Sequence, residues 1–211
     1  MDLSTQIGKL KIDPAITNTS GILSQPHIIR RISNYDIGAF FTKSIGIEPR
    51  EGFLEPVVYH DGKRTLNAFG LANPGYKLTR EELEEIYPLS KPLIVSIFGG
   101  NESEFIEIAI GLEDYCDGFE LNVSCPNIKE EEKSGINICR YPELVKTYTK
   151  AVKNNVKKPV IVKLTPNVSD IGIIAKAAEE GGADAISAIN TVAPATMIDV
   201  HSGKYVLTNL N

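Results

Sequence analysis

The sequence predicts an α/β protein with a TIM-type (β/α)8 barrel fold, with about six of the eight barrel strands in these 211 residues. Predicted strands alternate with predicted helices, and several strands are continuously apolar, which is typical of a parallel sheet covered on both faces. Polar residues also recur at strand ends, at Lys43, Asn122, Lys163 and Asn190. In a barrel these ends converge on one mouth, whereas in an open, doubly wound sheet only the ends near the switch point would meet.

The six strands are predicted at residues 15–18, 38–43, 92–97, the first half of 118–127, 159–163 and 185–189. Residues 57–67 predict a hairpin, because Asp61-Gly62 favours the tight turn that strand twist requires. Helices are predicted at 24–35 and, from a capping box, at 79–87. A third helix is predicted to be capped by Asn101 together with Glu104. Two more are predicted at 142–154, from a first-turn proline, and after a cap at Ser169. Residues 1–14 are predicted to form an N-terminal cover.

Composition excludes several classes of protein. The formal net charge of -5 gives no support to nucleic-acid binding. No apolar stretch approaches the roughly 18 residues of a membrane span, and no signal-peptide core is present, so we expect a cytoplasmic protein. The three histidines are scattered, which disfavours a metal site. Three cysteines without zinc spacing disfavour a disulfide framework; Cys116 is predicted to lie in the core and Cys139 in a polar loop.

The stretch 118–127 combines an apolar start with a polar end, Asn122-Val123-Ser124-Cys125-Pro126-Asn127. Pro126 cannot donate to a sheet ladder, so strand pairing is expected to end there. Amides and two lysine ammonium groups at a shared mouth suit a planar, anionic, carbonyl-rich ligand. Nearby lysines would lower the pKa of the Cys125 thiol, which makes it a candidate general base. None of these groups handles electrons, so a redox reaction would need a bound cofactor.

The segment from Glu120 to Asn127 resembles the catalytic segment of class 1 dihydroorotate dehydrogenases, the soluble, FMN-containing barrels of pyrimidine biosynthesis. Further segments resemble motifs of that family in family order: 18–21, 42–44, 67–73, 159–167 and 189–191. The resemblance extends over nearly the whole chain. It implies a catalytic subunit that oxidises dihydroorotate to orotate with FMN as the hydride acceptor.

The resemblance also implies residue roles. Cys125 would remove the C5 proton of dihydroorotate while a hydride leaves C6 for the flavin, and Lys43 would contact both flavin and substrate. The other substrate-binding residues would be Asn67, Gly70, Leu71, Asn122, Asn127, Asn190 and Thr191. The other flavin-binding residues would be Thr19, Ser20, Gly21, Asn122, Lys163 and Ile189. The resemblance further implies a homodimer or an assembly of dimers, in which an electron-transfer subunit can take part.

The sequence departs from a whole barrel at its end. Because a closed barrel needs eight strands and typically about 250 residues, we expect residues 1–211 to be a single, incomplete FMN-binding barrel domain, a fragment or truncated record of a longer enzyme. The polar segment 128–139 predicts a solvated loop that could serve as a lid.

Two other readings stay open at this point. A Schiff-base aldolase barrel would use Lys43 or Lys163 as nucleophile. A non-catalytic fragment would carry the same strand-end residues only as turn formers.

Overall fold

In a computed structural model of the chain, the structure describes residues 2–23, 25–124 and 136–210. The strands are β1 Thr5–Ile7, β2 Leu10–Ile12, β3 Phe40–Phe41, β4 Val58–His60, β5 Thr65–Asn67, β6 Leu93–Ile97, β7 Gly118–Asn122, β8 Val160–Lys163 and β9 Ala185–Ser187. The helices are α1 Pro26–Ile32, α2 Tyr76–Ile86, α3 Glu102–Leu112, α4 Ile136–Cys139, α5 Pro142–Asn155 and α6 Ile171–Glu180. Helices therefore follow most strands, as the sequence predicts.

Five strands form one parallel sheet in the order β3-β6-β7-β8-β9. The first predicted strand is reduced to a single parallel bridge between Thr17 and Ala39, beside β3 at one edge. Shortly after that bridge, Ser20 accepts a hydrogen bond from Lys163 Nζ of β8 at 2.7 Å. This contact joins segments separated by three strands, so the sheet must be curled. The prediction of a β/α barrel is confirmed, with these strands as a curled half-barrel.

The two faces of the sheet have different partners. Side chains on the outer face, such as Phe119, Leu121 and Val162, are fully buried in one large core with the helices. The inner face begins with a smaller apolar layer that contains Phe41, Ile94 and other buried side chains. Polar residues follow this layer toward the carboxyl ends of the strands. The fold therefore separates an apolar floor from a polar mouth.

The N-terminal cover is the hairpin of β1 and β2. Its Ile12 is 1% exposed and belongs to the apolar layer of the inner face, with Ala39, Phe41 and Ile161. The hairpin thus closes the amino-terminal end of the half-barrel. The sequence analysis predicted the cover but not the pairing of its strands.

Replacing Ile12 by alanine is expected to lower the free energy of unfolding by about 2 to 5 kcal/mol, because the substitution leaves a cavity in a closely packed layer. Urea denaturation of the protein measures this loss. Ile16→Ala is the matched control, since Ile16 is 62% exposed and its truncation should cost less than about 0.5 kcal/mol. Equal losses in the two variants would show that the hairpin does not seal the layer.

Two predicted helix starts are wrong. Helix α2 begins at Tyr76, and Thr79 lies inside it with its hydroxyl donating to the Gly75 carbonyl at 2.8 Å. Thr79 therefore does not cap the helix, and its hydroxyl makes a hydrogen bond within the first turn instead. Helix α6 is capped by Asp170, whose side chain accepts from Gly172 N at 2.8 Å, and not by Ser169.

Other local predictions are confirmed. Asn101 caps α3 by accepting from Glu104 N, Pro142 opens α5, and β4 and β5 form the predicted hairpin. Cys116 is fully buried, as predicted. Cys139 is also buried, in α4, and so does not lie in a polar loop. Within the part of the chain that the structure describes, none of the helices has the length and hydropathy needed to cross a membrane.

Candidate active site

A cleft of about 220 Å³ opens at the carboxyl ends of the parallel strands. Its walls bring together most of the predicted substrate and flavin residues. They are lined by Ser20, Gly21, Ile22, Lys43, Ser44, Asn67, Phe69, Leu71, Asn122, Lys163, Asn190 and Thr191. The predicted convergence of Lys43, Asn122, Lys163 and Asn190 on one mouth is therefore confirmed.

A second cavity of about 280 Å³ shares Ser20, Lys163, Asn190 and Thr191 with the cleft. It extends between the segment after the first bridge and the segment after β9. The predicted flavin residues Thr19 and Ile189 line this second cavity. The two cavities adjoin at these four shared residues, and the two together are termed the groove.

The side-chain amides at the centre of the groove are held by one another. Ser124 donates to Asn122 Oδ1 through its backbone N–H at 3.3 Å and through its hydroxyl at 3.0 Å. Asn190 Nδ2 donates to Ser124 Oγ at 3.0 Å and approaches Asn122 Oδ1 at 3.5 Å. These contacts link the ends of β7 and β9 across the groove, so neighbouring side chains hold the polar ends in place.

The rim beside Asn190 is held in the same way. Asn190 Oδ1 accepts from Thr191 N at 2.7 Å, and Asn67 Nδ2 donates to Thr191 Oγ1 at 3.4 Å. Asn167, to which the sequence analysis gave no role, donates to the Thr191 carbonyl at 2.9 Å and accepts from Ala193 N at 2.7 Å. The hairpin β4–β5 and the segment after β9 therefore meet at Thr191.

Two ammonium groups face the groove. Lys43 is half-buried, and desolvation by this burial lowers the pKa of its ammonium group from the usual 10.5. Its Nζ lies 5.1 Å from the centroid of the Phe69 ring, a cation–π contact. Lys163 is paired with Asn122 in the register of β7 and β8, and its Nζ is held by Ser20. Both positive charges are therefore positioned by neighbouring side chains.

The predicted backbone contacts at Gly70 and Leu71 lie on a constrained loop. Both residues have positive φ, 68° and 56°, and Leu71 lines the cleft. Asn73, which the sequence analysis did not single out, clamps this loop: its Nδ2 donates to the Leu71 carbonyl at 2.8 Å. Its Oδ1 accepts from Gly46 N and Gly75 N. The unfavourable conformation of a non-glycine residue is thus held by a buried amide.

Two predicted site residues, Cys125 and Asn127, lie outside the described residues, as does most of the predicted loop that follows them. Among the residues that are described, no group of three or more His, Cys, Asp or Glu side chains is placed to hold a metal ion.

The model of one protein family, dihydroorotate dehydrogenase, matches residues 2–210. The chain belongs to this family. The catalytic subunit of dihydroorotate dehydrogenase B (NAD(+)) from Pyrococcus furiosus is 42% identical over 210 residues, covering 99% of this chain and 68% of that protein. The protein of the same name from Thermococcus kodakarensis is 44% identical over 208 residues, covering 98% of this chain and 67% of that protein.

A solved structure supports the fold of this dihydroorotate dehydrogenase family member. The crystal structure of DHODH from Eimeria tenella in complex with ferulenol matches with a TM-score of 0.76 at 18% sequence identity. The match covers 90% of this chain and 60% of that chain. The chain therefore spans about three fifths of this neighbour and about two thirds of the curated relatives.

In this dihydroorotate dehydrogenase family member, the sequence analysis missed an interior carboxylate. The groups that it placed at the mouth were amides, two lysines and a thiol, yet Glu120 is 2% exposed and lines the second cavity. Ser96 Oγ donates to Glu120 Oε1 at 2.9 Å. A signal was available, because alternate residues of a strand share one face. Glu120 stands two residues before Asn122 and must point toward the same interior.

Proposed function

We propose that the protein oxidises dihydroorotate to orotate with bound FMN as hydride acceptor, a reaction of pyrimidine biosynthesis. One observation carries the proposal. The amides of Asn67, Asn122 and Asn190 and the ammonium group of Lys43 line a single cleft, in a chain that is 42% identical to a dihydroorotate dehydrogenase catalytic subunit.

The proposed substrate matches the chemistry of the cleft. Dihydroorotate is a small ring with amide N–H and carbonyl groups and one carboxylate. The amides of Asn67 and Asn190 can donate to ring oxygens and accept from ring N–H groups. The ammonium group of Lys43 supplies a positive charge for the carboxylate. Asn127 and the backbone at Gly70 and Leu71 complete the proposed substrate site.

The groups of the second cavity fit a flavin. When bound, FMN supplies the hydride acceptor, which side chains cannot provide. The Ser20 hydroxyl and the Lys163 ammonium group, 2.7 Å apart, offer fixed donors to flavin heteroatoms. Thr19, Gly21 and Ile189 would line the ring system, and Lys43 and Asn122 would lie between flavin and substrate.

Proton removal is assigned to Cys125. It follows Ser124 directly in the sequence, and Ser124 is fully buried and hydrogen bonded to the site amides. Nearby cations lower the pKa of a thiol toward neutral pH, so that a thiolate is present to accept a proton. Cys125 would take the C5 proton while the hydride leaves C6.

The proposal extends to the assembly. Relatives are named catalytic subunits of an NAD(+)-type enzyme, so we propose a partner subunit for electron transfer, together with a homodimer of the catalytic subunit in the cytoplasm. We also propose that residues 1–211 belong to a single FMN-binding barrel domain.

The test is anaerobic addition of dihydroorotate to the purified full-length protein. We expect a flavin spectrum that bleaches with stoichiometric formation of orotate. The aldolase alternative predicts no bleaching and a covalent adduct on Lys43 or Lys163 after borohydride reduction in the presence of substrate. A colourless protein that forms such an adduct would overturn the proposal.

A further inference from the structure

A chain of buried hydrogen bonds runs beneath the cleft. Asn122 Nδ2 donates to Ser44 Oγ at 2.9 Å, Ser44 and Ser96 share a hydroxyl–hydroxyl contact of 2.9 Å, and Ser96 Oγ donates to Glu120 Oε1 at 2.9 Å. Each of these four side chains is 6% exposed or less. Three strand ends are thus joined by a continuous polar path inside the half-barrel.

The direction of every bond in this path follows from its two ends. The backbone N–H of Ser124 can only donate, so the Asn122 atom that it contacts must be the amide oxygen. Asn122 Nδ2 therefore faces Ser44 and donates to its hydroxyl oxygen. At the other end, the Ser96 hydroxyl donates its only proton to Glu120 Oε1. Ser44 must then donate to Ser96, and all donors in the path point toward Glu120.

A carboxylate is an unfavourable group to bury in a barrel interior, because desolvation of its charge costs several kcal/mol of free energy before compensation by its partners. The apolar layer directly below shows that the fold can fill the interior with hydrocarbon side chains. Glu120 therefore calls for a role beyond packing. Its position at the end of the path supplies one.

We propose that Glu120 is a positioning residue that fixes the side-chain amide of Asn122 through Ser96 and Ser44. With the acceptor in place, the amide nitrogen of Asn122 is held below the cleft and its oxygen is held toward Ser124 and Asn190. Without the acceptor, the Ser96 and Ser44 hydroxyls can reverse, and the Ser44 proton would then face Asn122 Nδ2 in place of a lone pair. The Asn122 amide would keep the contacts of its oxygen with Ser124 and Asn190 but lose its fixed partner at nitrogen, so it would be held less tightly for the ligand. The inference rests on the proposed function for its ligand, and on the described contacts for its geometry.

Three variants separate hydrogen bonding from charge. Glu120→Gln keeps an acceptor oxygen for Ser96 and removes the charge. Glu120→Leu removes both, and Ser96→Ala removes the link itself. We expect Glu120→Leu and Ser96→Ala to raise the KM for dihydroorotate about tenfold, the scale of one lost hydrogen bond, with kcat within threefold and flavin content unchanged. Glu120→Gln should stay within threefold of the original protein in both constants.

The matched control removes a buried hydroxyl elsewhere. Thr149 is fully buried in α5, where its hydroxyl donates to the Val145 carbonyl. Thr149→Val should leave both constants unchanged. If Thr149→Val raises the KM as much as Ser96→Ala, the effect is a general loss of packing and the proposal fails.

A second measurement does not depend on turnover. In the ligand-free protein, the NMR signals of the Asn122 side-chain amide, identified by their loss in Asn122→Asp, should keep their positions in Glu120→Gln and move in Ser96→Ala and Glu120→Leu. This result would support the path even if the protein failed to oxidise dihydroorotate, so the two failures are distinguishable. Unchanged signals in Ser96→Ala would overturn the proposal. This outcome decides the question even if Glu120→Leu does not fold. Equal damage by Glu120→Gln and Glu120→Leu would overturn it in favour of a charge effect.

Discussion

Replacing Cys125 by alanine is expected to lower the rate of dihydroorotate oxidation by at least about a hundredfold, the usual contribution of a general base. The polar groups that line the described part of the cleft are ammonium, amide and hydroxyl groups, such as those of Lys43, Asn190 and Ser44. An amide is not a base, and a lysine or a hydroxyl group must lose its own proton first. Anaerobic stopped-flow reduction of the flavin measures this step apart from reoxidation. The flavin spectrum and orotate affinity should change little, because binding is assigned to other residues.

Cys139→Ala is the control for this experiment. Burial raises the pKa of the Cys139 thiol to about 12, so it stays protonated at neutral pH and cannot accept the substrate proton. Its removal should leave the rate of flavin reduction within about threefold. A Cys125→Ala variant that still reduces its flavin at the original rate would remove Cys125 from the mechanism and direct the search to another base.

The convergence of the site could be predicted because it depends on local features. A buried parallel strand is visible as an apolar run, and the residue type at its end is read directly from the sequence. Lys43, Asn122 and Lys163 each stand at such an end, and a barrel brings these ends together whatever the intervening helices contain. The fold class alone was therefore enough to predict that the two lysines and the amides lie at one mouth.

The interior network could not be predicted in the same way. Glu120 and Ser96 are 24 residues apart, and Ser44 and Ser96 are 52 apart. Each contact depends on strand order and on register, Ser96 opposite Glu120 in the pairing of β6 and β7. Periodicity shows which residues share a face, but it does not show that two hydroxyls and a carboxylate will lie at hydrogen-bonding distance.

The helix starts failed for a different reason. Ser169 and Asp170 are both good cap residues and stand side by side, so propensity alone cannot choose between them. The structure chooses Asp170 by orienting its carboxylate toward Gly172 N. At α2, Tyr76 contacts Glu107 of α3 through its hydroxyl at 2.8 Å. Such a contact favours a longer helix and lies outside the reach of a local pattern.

Replacing Lys43 by methionine is expected to weaken orotate binding about 10- to 100-fold at neutral pH. This loss corresponds to removing a hydrogen bond to a charged group from a partly desolvated site. Methionine keeps the length and apolar stem of the side chain, so packing against Phe69 should persist. Titration of the oxidised protein with orotate, followed through the flavin spectrum, gives the dissociation constants. Lys146→Met is the control, because Lys146 pairs with Glu180 on the surface, away from the cleft.

The same residue predicts a pH dependence whose sign can be tested. Burial lowers the pKa of Lys43 below 10.5, so its charge is lost at a lower pH than that of an exposed lysine. Orotate affinity should therefore fall as the pH rises toward 10.5. This fall should be absent in Lys43→Met, which also serves as the control for any ionisation of orotate itself, because that ionisation is the same with both proteins. Because the unfolded chain holds this proton to higher pH than the folded protein does, the free energy of unfolding should rise across that interval relative to Lys43→Met. A fall in that difference would mean that a negative group holds the charge of Lys43 in the fold, and Lys43 would then not be available to bind a carboxylate.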